Sequence, residues 1–192
     1  MRADPVMRGI IRACGPFELQ IRGDAYTSLM RAILYQQLAG AAAAAIERRF
    51  LALFDGRIPK PEQVLALSDD QFRATGVSRQ KATYIRSIAE HFTAGHLSDR
   101  RLRRQPDAEV ITEVTQIKGI GEWTAHMLLM FCLGRPDVLP VGDYGIRNAM
   151  RLAYGLPDLP KPAEVERIAE PWRPYRSAGS WYLWRRTDIV TL

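Results

Sequence analysis

Two glycines, Gly119 and Gly121, flank Ile120 directly before a stretch of helical character. Glycine lets a backbone turn sharply, so we expect Ile120 in the core and the amides of both glycines open to solvent. The first N–H groups of the next helix have no partner inside it, and the helix dipole is positive at that end. The pattern predicts a site that holds a phosphate without reading a base. The alternative interpretation is an ordinary glycine turn between two helices.

A second candidate for chemistry is Asp143, which follows a loop rich in glycine and proline at the start of a predicted helix. Aspartate often caps a helix at this position, and on Asp143 alone that interpretation is the simpler one. A carboxylate can also stabilise a developing positive charge and can orient or deprotonate a water molecule. Asp137 lies inside the same loop, and we interpret it as a turn residue.

These residues need helices to position them, and apolar residues at helical spacing predict such helices along most of the chain. Asp24 is the predicted cap of the first of them. The others are predicted at about residues 40–54, 61–67, 69–75, 78–94, 107–116, 122–133, 143–154, 163–169 and 175–185. Only the segment from Phe17 to Ile21 alternates as a strand would. The predicted fold is therefore all-α, with at most a trace of sheet.

Residues 76–82 show a weak sequence similarity to residues 119–125, and each segment lies between two predicted helices. Both are expected to form tight hairpins. The first hairpin lacks a second glycine, so its amides approach a ligand less easily. We interpret it as a structural turn, with a phosphate contact by Lys81 as the alternative.

Composition agrees with a polyanionic partner. The 192 residues include 27 Lys and Arg against 21 Asp and Glu, which gives a net charge of +6 and a pI near 9.6. Most of the positive charge is arginine, whose planar fork pairs with phosphate oxygens. Two cysteines are too few for a disulfide framework, a four-thiolate zinc site or an iron–sulfur cluster. No signal peptide or membrane span is evident, so we expect a cytoplasmic, nucleoid-associated monomer without membrane contact.

The extended hairpin pattern, a hydrophobic residue and then x-Gly-Ile-Gly-x-x-Thr-Ala, resembles the helix-hairpin-helix motif. With an aspartate about twenty residues beyond it, the segment is similar to the HhH-GPD superfamily of DNA glycosylases. This resemblance implies that Asp143 is catalytic in hydrolysis of an N-glycosidic bond. It also implies that a structural monovalent cation, Na⁺ or K⁺, is bound by backbone carbonyls, with no cofactor for catalysis. The carbonyls are those of Thr115, Ile117 and Ile120, and the implied DNA contacts are Lys118, Gly119, Gly121, Thr124 and Lys81.

From about Asp4 onward the chain resembles the alkylpurine branch of that superfamily, the 3-methyladenine DNA glycosylase II type. The resemblance is carried by residues 32–38, 76–82 and 172–184. It implies that Gln37 fills the gap left by a flipped base. It also implies a base pocket lined by Gln36, Trp123, Tyr144 and Trp184, whose electron-rich aromatic rings attract a cationic methylated purine. For Trp172 and Trp181 we prefer packing in the core.

Trp123 stands where members of the superfamily that also cut the strand carry a lysine nucleophile. An indole cannot form a Schiff base, so the resemblance implies a monofunctional enzyme that acts on damaged bases in double-stranded DNA. We expect one domain over residues 1–192, with two helical lobes flanking a cleft and an N-terminal β subdomain absent or vestigial. Its expected parts are an N-terminal segment 1–23, a first lobe 24–104, the hairpin and catalytic loop 105–155, and a closing segment 156–192.

Two other functions remain open from the sequence. A non-catalytic DNA-binding module would use the hairpin for phosphate alone and would need neither Asp143 nor aromatic pocket residues. A glycosylase for another lesion, such as uracil, would keep Asp143 and differ in its pocket.

Overall fold

A computed structural model describes residues 4–186, and these residues form helices and loops with no β-strand. A short 3-10 helix, Glu170–Trp172, precedes the last α-helix. The α-helices are α1 (Pro5–Cys14), α2 (Ala25–Tyr35), α3 (Gly40–Ala52), α4 (Pro61–Leu65), α5 (Asp69–Thr75), α6 (Arg79–Thr93), α7 (Asp99–Leu102), α8 (Asp107–Val114), α9 (Glu122–Phe131), α10 (Tyr144–Tyr154), α11 (Pro162–Ala169) and α12 (Arg176–Arg186). Among the described residues, no helix has the length and apolar character that crossing a membrane requires.

The chain forms two compact units. The central unit runs from Arg22 to Leu128, and the terminal unit combines the chain up to Ile21 with the chain from Leu129 onward. Helix α9 begins in the central unit and ends in the terminal unit. The segment 105–155, expected from the sequence as one part, therefore contributes to both units.

In the central unit, α6 is the helix against which α2, α4 and α5 pack. Its buried face includes Ile85 and Ile88, which are 1% and 0% exposed. Helix α2 buries Leu29 and Ile33 on its own apolar stripe and starts at Asp24, whose carboxylate accepts from the Thr27 N–H at 2.8 Å. This cap satisfies an N–H group that has no partner inside the helix, as the sequence predicted.

In the terminal unit, α12 packs against both α1 and α10. Asp4 caps α1 by accepting from the amides of Val6 and Met7, and Pro5 occupies the first helical position, where no N–H is needed. The same carboxylate accepts from the indole of Trp172 at 2.9 Å and from the hydroxyl of Tyr154. Helix α1 is thereby fastened to the C-terminal end of α10, the helix that begins beside Asp143.

The all-α prediction is confirmed, and every helix predicted from residue 40 onward is present with its ends within two residues of the prediction. The predicted strand from Phe17 to Ile21 is wrong. Within residues 4–186 this segment pairs with no strand. The Phe17 ring packs edge-on against Trp181, with ring centroids 5.3 Å apart, and Ile21 packs on Gly134. Helix α1 and the short helix α7 were not predicted.

Candidate functional site

The predicted hairpin connects α8 to α9 in the central unit. Ile117 and Ile120 are 1% and 5% exposed, so both side chains anchor the turn in the core, as expected for Ile120. The Ile120 N–H donates to the Ile117 carbonyl at 3.1 Å and closes the turn just before Glu122, the first residue of α9.

The two hairpin glycines differ in their surroundings. Gly119 has a φ of +84°, and a Cβ built on it would lie 2.2 Å from the ring of Tyr84. Tyr84 therefore packs directly on this glycine, and Gly119 is half-buried rather than open to solvent as we expected. Gly121 is exposed, and a Cβ there would meet nothing within 4 Å. Of the two, Gly121 is the one that leaves room for a ligand to approach the backbone.

The other residues predicted to contact DNA at this hairpin differ in exposure. Lys118 has an exposed side chain, while its N–H lies 3.4 Å from the hydroxyl of Ser87 on α6. Thr124, on the first turn of α9, is only 6% exposed. Its DNA contact stays a prediction.

The carbonyls predicted to bind a monovalent cation belong to Thr115, Ile117 and Ile120. They are neutral oxygen donors, the kind that a hard cation of low charge accepts. The Ile117 carbonyl already accepts from Ile120, and its second lone pair leaves it able to coordinate an ion as well. Between residues 4 and 186, no group of three or more His, Cys, Asp or Glu side chains is arranged to hold a metal ion. The residues fit the predicted cation, which itself stays a prediction.

The predicted plug region follows α2 in the same unit. Gln36 ends the helix, and its side-chain amide donates to the Gly119 carbonyl at 3.0 Å, which ties this turn to the hairpin. Gln37 has an exposed side chain and a positive φ of 57°. Sequence reasoning assigned Gln36 to the base pocket, whereas here its amide joins two segments of the protein.

Lys81 lies in the first turn of α6, within the hairpin segment of residues 76–82. Its ammonium donates to the Leu34 carbonyl at 2.7 Å, at the C-terminal end of α2. Burial lowers the pKa of Lys81, because desolvation disfavours the charged amine. The hairpin of residues 76–82 turns at Gly76, which has a φ of +88°, and it joins two helices as predicted.

Asp143 belongs to the terminal unit and is the N-cap of α10. Its Oδ1 accepts from the Ile146 N–H at 2.8 Å and from the indole N–H of Trp184 at 2.9 Å. The Asp143 side chain is half-buried. Asp143 thus has the helix cap that the simpler interpretation predicts, together with a side-chain donor that a cap does not require.

The loop before Asp143 is fastened to the start of α12. The Ser177 hydroxyl donates to the Arg135 carbonyl at 2.6 Å and accepts from the Val138 N–H at 2.9 Å. Asp137 accepts from the guanidinium groups of Arg173 and Arg176 at 2.7 and 2.8 Å. Burial opposes ionisation of Asp137, but Arg176 and then Arg173 outweigh it and hold the pKa below its usual value. Asp137 is a structural loop residue, in agreement with its interpretation as a turn residue.

The predicted aromatic pocket residues differ in accessibility. Trp123, on α9, is 48% exposed, and Tyr144, directly after Asp143, is 64% exposed. Trp184 is 1% exposed, with its ring stacked on Phe131 at 6.0 Å. Trp184 therefore supports Asp143 from the core, and its role as a pocket wall stays a prediction. Trp172 is fully buried, which confirms its packing in the core.

A family model described as "HhH-GPD superfamily base excision DNA repair protein" matches residues 30–174. The chain belongs to this HhH-GPD superfamily. The matched region contains the hairpin, Lys81, Trp123 and Asp143. It ends before Trp184, so the donor to Asp143 lies in the part of this HhH-GPD protein beyond the match.

Two of the most similar relatives of known name are both described as 3-methyladenine glycosylases. DNA-3-methyladenine glycosylase 1 of Schizosaccharomyces pombe is 39% identical over 169 residues, covering 87% of this chain and 74% of that protein. A putative DNA-3-methyladenine glycosylase of Bacillus subtilis is 34% identical over 169 residues, covering 85% of this chain and 59% of that protein.

Solved structures agree with the superfamily assignment. A 3-methyladenine DNA glycosylase of Schizosaccharomyces pombe in complex with abasic DNA has a TM-score of 0.85 and 35% identity, covering 98% of this chain and 95% of that one. A DNA-3-methyladenine glycosidase of Bacillus halodurans has a TM-score of 0.88 and 37% identity, covering 96% and 85%.

Several residues that shape the site of this HhH-GPD protein were missed by sequence reasoning. Tyr84 and Ser87 contact the hairpin, and Ser177 holds the loop before Asp143. Lys81, Tyr84 and Ser87 follow one another at intervals of three on α6, so their spacing indicates a shared face. The sequence contains no comparable signal for what that face contacts.

Proposed function

We propose that this chain is a monofunctional DNA glycosylase that hydrolyses the N-glycosidic bond of alkylated purines, such as 3-methyladenine, in duplex DNA. The observation that carries the proposal is Asp143, a carboxylate held by the Ile146 amide and the Trp184 indole at the start of α10. The names of the relatives support this substrate class, and superfamily membership supports base excision repair.

The chemistry suits a lone carboxylate. An N-alkylated purine nucleoside is cationic, so its base leaves as a neutral molecule and needs no general acid. As the bond breaks, the sugar acquires oxocarbenium character, which the negative charge of Asp143 stabilises. The same carboxylate orients or deprotonates the water that attacks the sugar carbon. The bond between that carbon and the purine nitrogen breaks, and the water oxygen forms the new bond.

Selection of the damaged base is assigned to aromatic side chains. The exposed rings of Trp123 and Tyr144 offer electron-rich faces, which attract a cationic methylated purine more strongly than a neutral base. This kind of selection requires no pattern of hydrogen bonds to the base. It therefore suits an enzyme that accepts several alkylated purines.

DNA binding is assigned to the hairpin. The exposed Gly121 and the start of α9 offer amide N–H groups and a positive helix end to a phosphate. The carbonyls of Thr115, Ile117 and Ile120 would hold a Na⁺ or K⁺ ion, which would add positive charge near that phosphate. Such contacts do not depend on sequence, so the enzyme can inspect many positions along the duplex.

The proposal is tested by incubating the protein with duplexes that each carry one defined lesion and measuring base release by chromatography. Release of 3-methyladenine and other alkylated purines is expected. Release of uracil instead would assign another lesion. DNA binding without release of any base would identify a non-catalytic binding module, and Asp143→Asn would then behave like the unchanged protein.

A further inference from the structure

The turn that follows α2, residues 36–38, has a backbone conformation that glycine normally supplies. We call it the probe turn. Gln36 has φ −54° and ψ 131°, Gln37 has φ 57°, and the Leu38 N–H lies 3.4 Å from the Tyr35 carbonyl. These values resemble a type II turn, in which glycine is preferred at the position of Gln37. A residue with a side chain persists in the left-handed region only where its surroundings fix it, often at functional sites.

The turn leaves a backbone acceptor of α2 in need of a donor. In a continuing helix the Leu38 N–H would donate to the Leu34 carbonyl, but here it is directed at Tyr35. The Lys81 ammonium donates to the Leu34 carbonyl instead, at 2.7 Å. A cation is also favoured at this end of α2, because the helix dipole is negative there. Lys81 thus stabilises the helix end that produces the turn.

The same face of α6 also contacts the hairpin. Tyr84 lies three residues after Lys81 and packs its ring on Gly119. The Gly119 carbonyl accepts from the side-chain amide of Gln36 at 3.0 Å, so the hairpin and the probe turn are joined directly as well. Helix α6 therefore contacts the end of α2, just before the probe turn, through Lys81, and it contacts the hairpin through Tyr84. All these residues belong to the central unit.

We propose that Lys81 is a positioning residue whose ammonium holds the probe turn in the conformation that presents Gln37 and Leu38 outward, in a fixed register with the hairpin. Both side chains are exposed, one a polar amide and the other apolar. A turn set in advance needs no ordering when a base leaves the duplex, so the gap is filled at lower entropic cost. The inference rests on the proposed function, and it assigns Lys81 a partner inside the protein where the sequence suggested a DNA phosphate.

The test compares Lys81→Met, Lys81→Arg and the control Arg79→Met, which removes one exposed charge from the same helix turn. Single-turnover base release is measured on a duplex and on a single strand of the same sequence. The single strand serves as the reference, because a base that leaves it opens no gap in a double helix. Lys81→Met should slow release from the duplex about tenfold and from the single strand less than about twofold. Lys81→Arg should recover most of the loss, and Arg79→Met should leave the ratio of the two rates unchanged.

Hydrogen exchange supplies a readout that needs no catalysis. Lys81→Met should speed exchange of the amides in residues 34–39 and leave those of α9 unchanged, whether or not the protein releases any base. Faster exchange without base release by the unchanged protein would retain the positioning role and overturn the proposed function. An active protein with unchanged exchange in Lys81→Met would overturn the positioning role. The positioning role would also be overturned if Lys81→Met slowed base release equally on duplex and single strand and made binding less dependent on salt. That result would make Lys81 a phosphate contact.

Discussion

The indole N–H of Trp184 donates to Oδ1 of Asp143 at 2.9 Å, from a side chain that is only 1% exposed. Because Trp184 is buried in the terminal unit and stacked on Phe131, its donor has little freedom to move. The amide of Ile146 holds the same oxygen atom from the start of α10. Two donors on different helices thus fix the rotation of the carboxylate, which determines where its charge is placed.

Replacing Trp184 by phenylalanine removes the indole donor and keeps an aromatic ring against Phe131. We expect the rate of base release at saturating DNA to fall about tenfold, with a small change in DNA affinity, because a hydrogen bond to a charged group is lost. Single-turnover kinetics on an alkylated duplex measures the rate, and fluorescence anisotropy measures the affinity.

The matched control is Trp172→Phe in the same unit. Trp172 is also fully buried and donates its indole N–H to a carboxylate, that of Asp4. Its replacement removes the same atoms and destabilises the fold without touching Asp143. Equal loss of rate in both variants would mean that Trp184 acts through stability alone.

Asp143→Asn tests the carboxylate itself. The amide oxygen can still accept from Ile146 and Trp184, so the helix cap is retained and only the negative charge is lost. Base release should fall by about 100-fold or more. Binding to abasic-site DNA should change by less than about twofold. Asp24→Asn, at the N-cap of α2, makes the same change away from the site and should retain activity; near-normal turnover by Asp143→Asn would refute the assignment.

Helix boundaries could be predicted from local signals in the sequence. Caps such as Asp24 and Asp143, and glycines at turns such as Gly76, depend on a few neighbouring residues, so most helices of both units could be predicted closely. Helix α1 had the same signal in Asp4 and Pro5, and its buried Met7 and Ile10 follow helical spacing, yet it was overlooked.

Contacts between distant segments could not be predicted in this way. The sequence places Trp184 about forty residues after Asp143, and nothing in either segment shows that the indole N–H points to the carboxylate. Lys81 was given as a possible DNA contact, with a purely structural turn as the other interpretation of its hairpin, whereas its ammonium donates to the Leu34 carbonyl at the end of α2. The segment from Phe17 to Ile21 alternates as a strand does, yet Phe17 packs on Trp181 of α12 and Ile21 packs on a loop at Gly134.

The two hairpin glycines should respond differently to substitution. Gly119→Ala places a methyl group against Tyr84 at a positive φ, and should lower the free energy of unfolding by about 1–3 kcal/mol. A Cβ at Gly121 has no atom within 4 Å, so Gly121→Val should leave stability nearly unchanged. It should nevertheless weaken binding to damaged and undamaged duplexes alike, because its side chain obstructs the phosphate. Thermal unfolding and duplex titrations measure the two effects. A loss of affinity confined to damaged DNA would argue against phosphate binding at Gly121.

Asp4 should make stability depend on pH. Burial opposes its ionisation, but the hydrogen bonds from Trp172, Tyr154 and the amides of Met7 and Val6 outweigh it and lower the pKa of Asp4. A lowered pKa stabilises the fold above the unfolded value of about 3.9, and this stability is lost as the pH falls through the folded value.

Asp4→Asn leaves buried donors without an anionic acceptor and should cost about 1–3 kcal/mol at neutral pH. Urea unfolding at a series of pH values from 7 to 3 measures the difference between the two proteins. The difference should shrink at the acid end; a difference that is constant over the whole range would contradict a charged Asp4.

The resemblance to the superfamily implies that Trp123 takes the position at which strand-cutting members carry a lysine, and from this we predict the chemistry of the reaction. Because an indole offers no amine, water must attack the sugar, and the product should be an intact strand with an abasic site. A denaturing gel should show cleavage only after alkali, and borohydride should trap no covalent complex. A bifunctional lysine-bearing glycosylase run in parallel confirms that trapping works. A borohydride-stable adduct would point to another amine, and Lys118→Met would then be compared with Lys81→Met to decide whether the exposed hairpin lysine or the one at the end of α2 forms it.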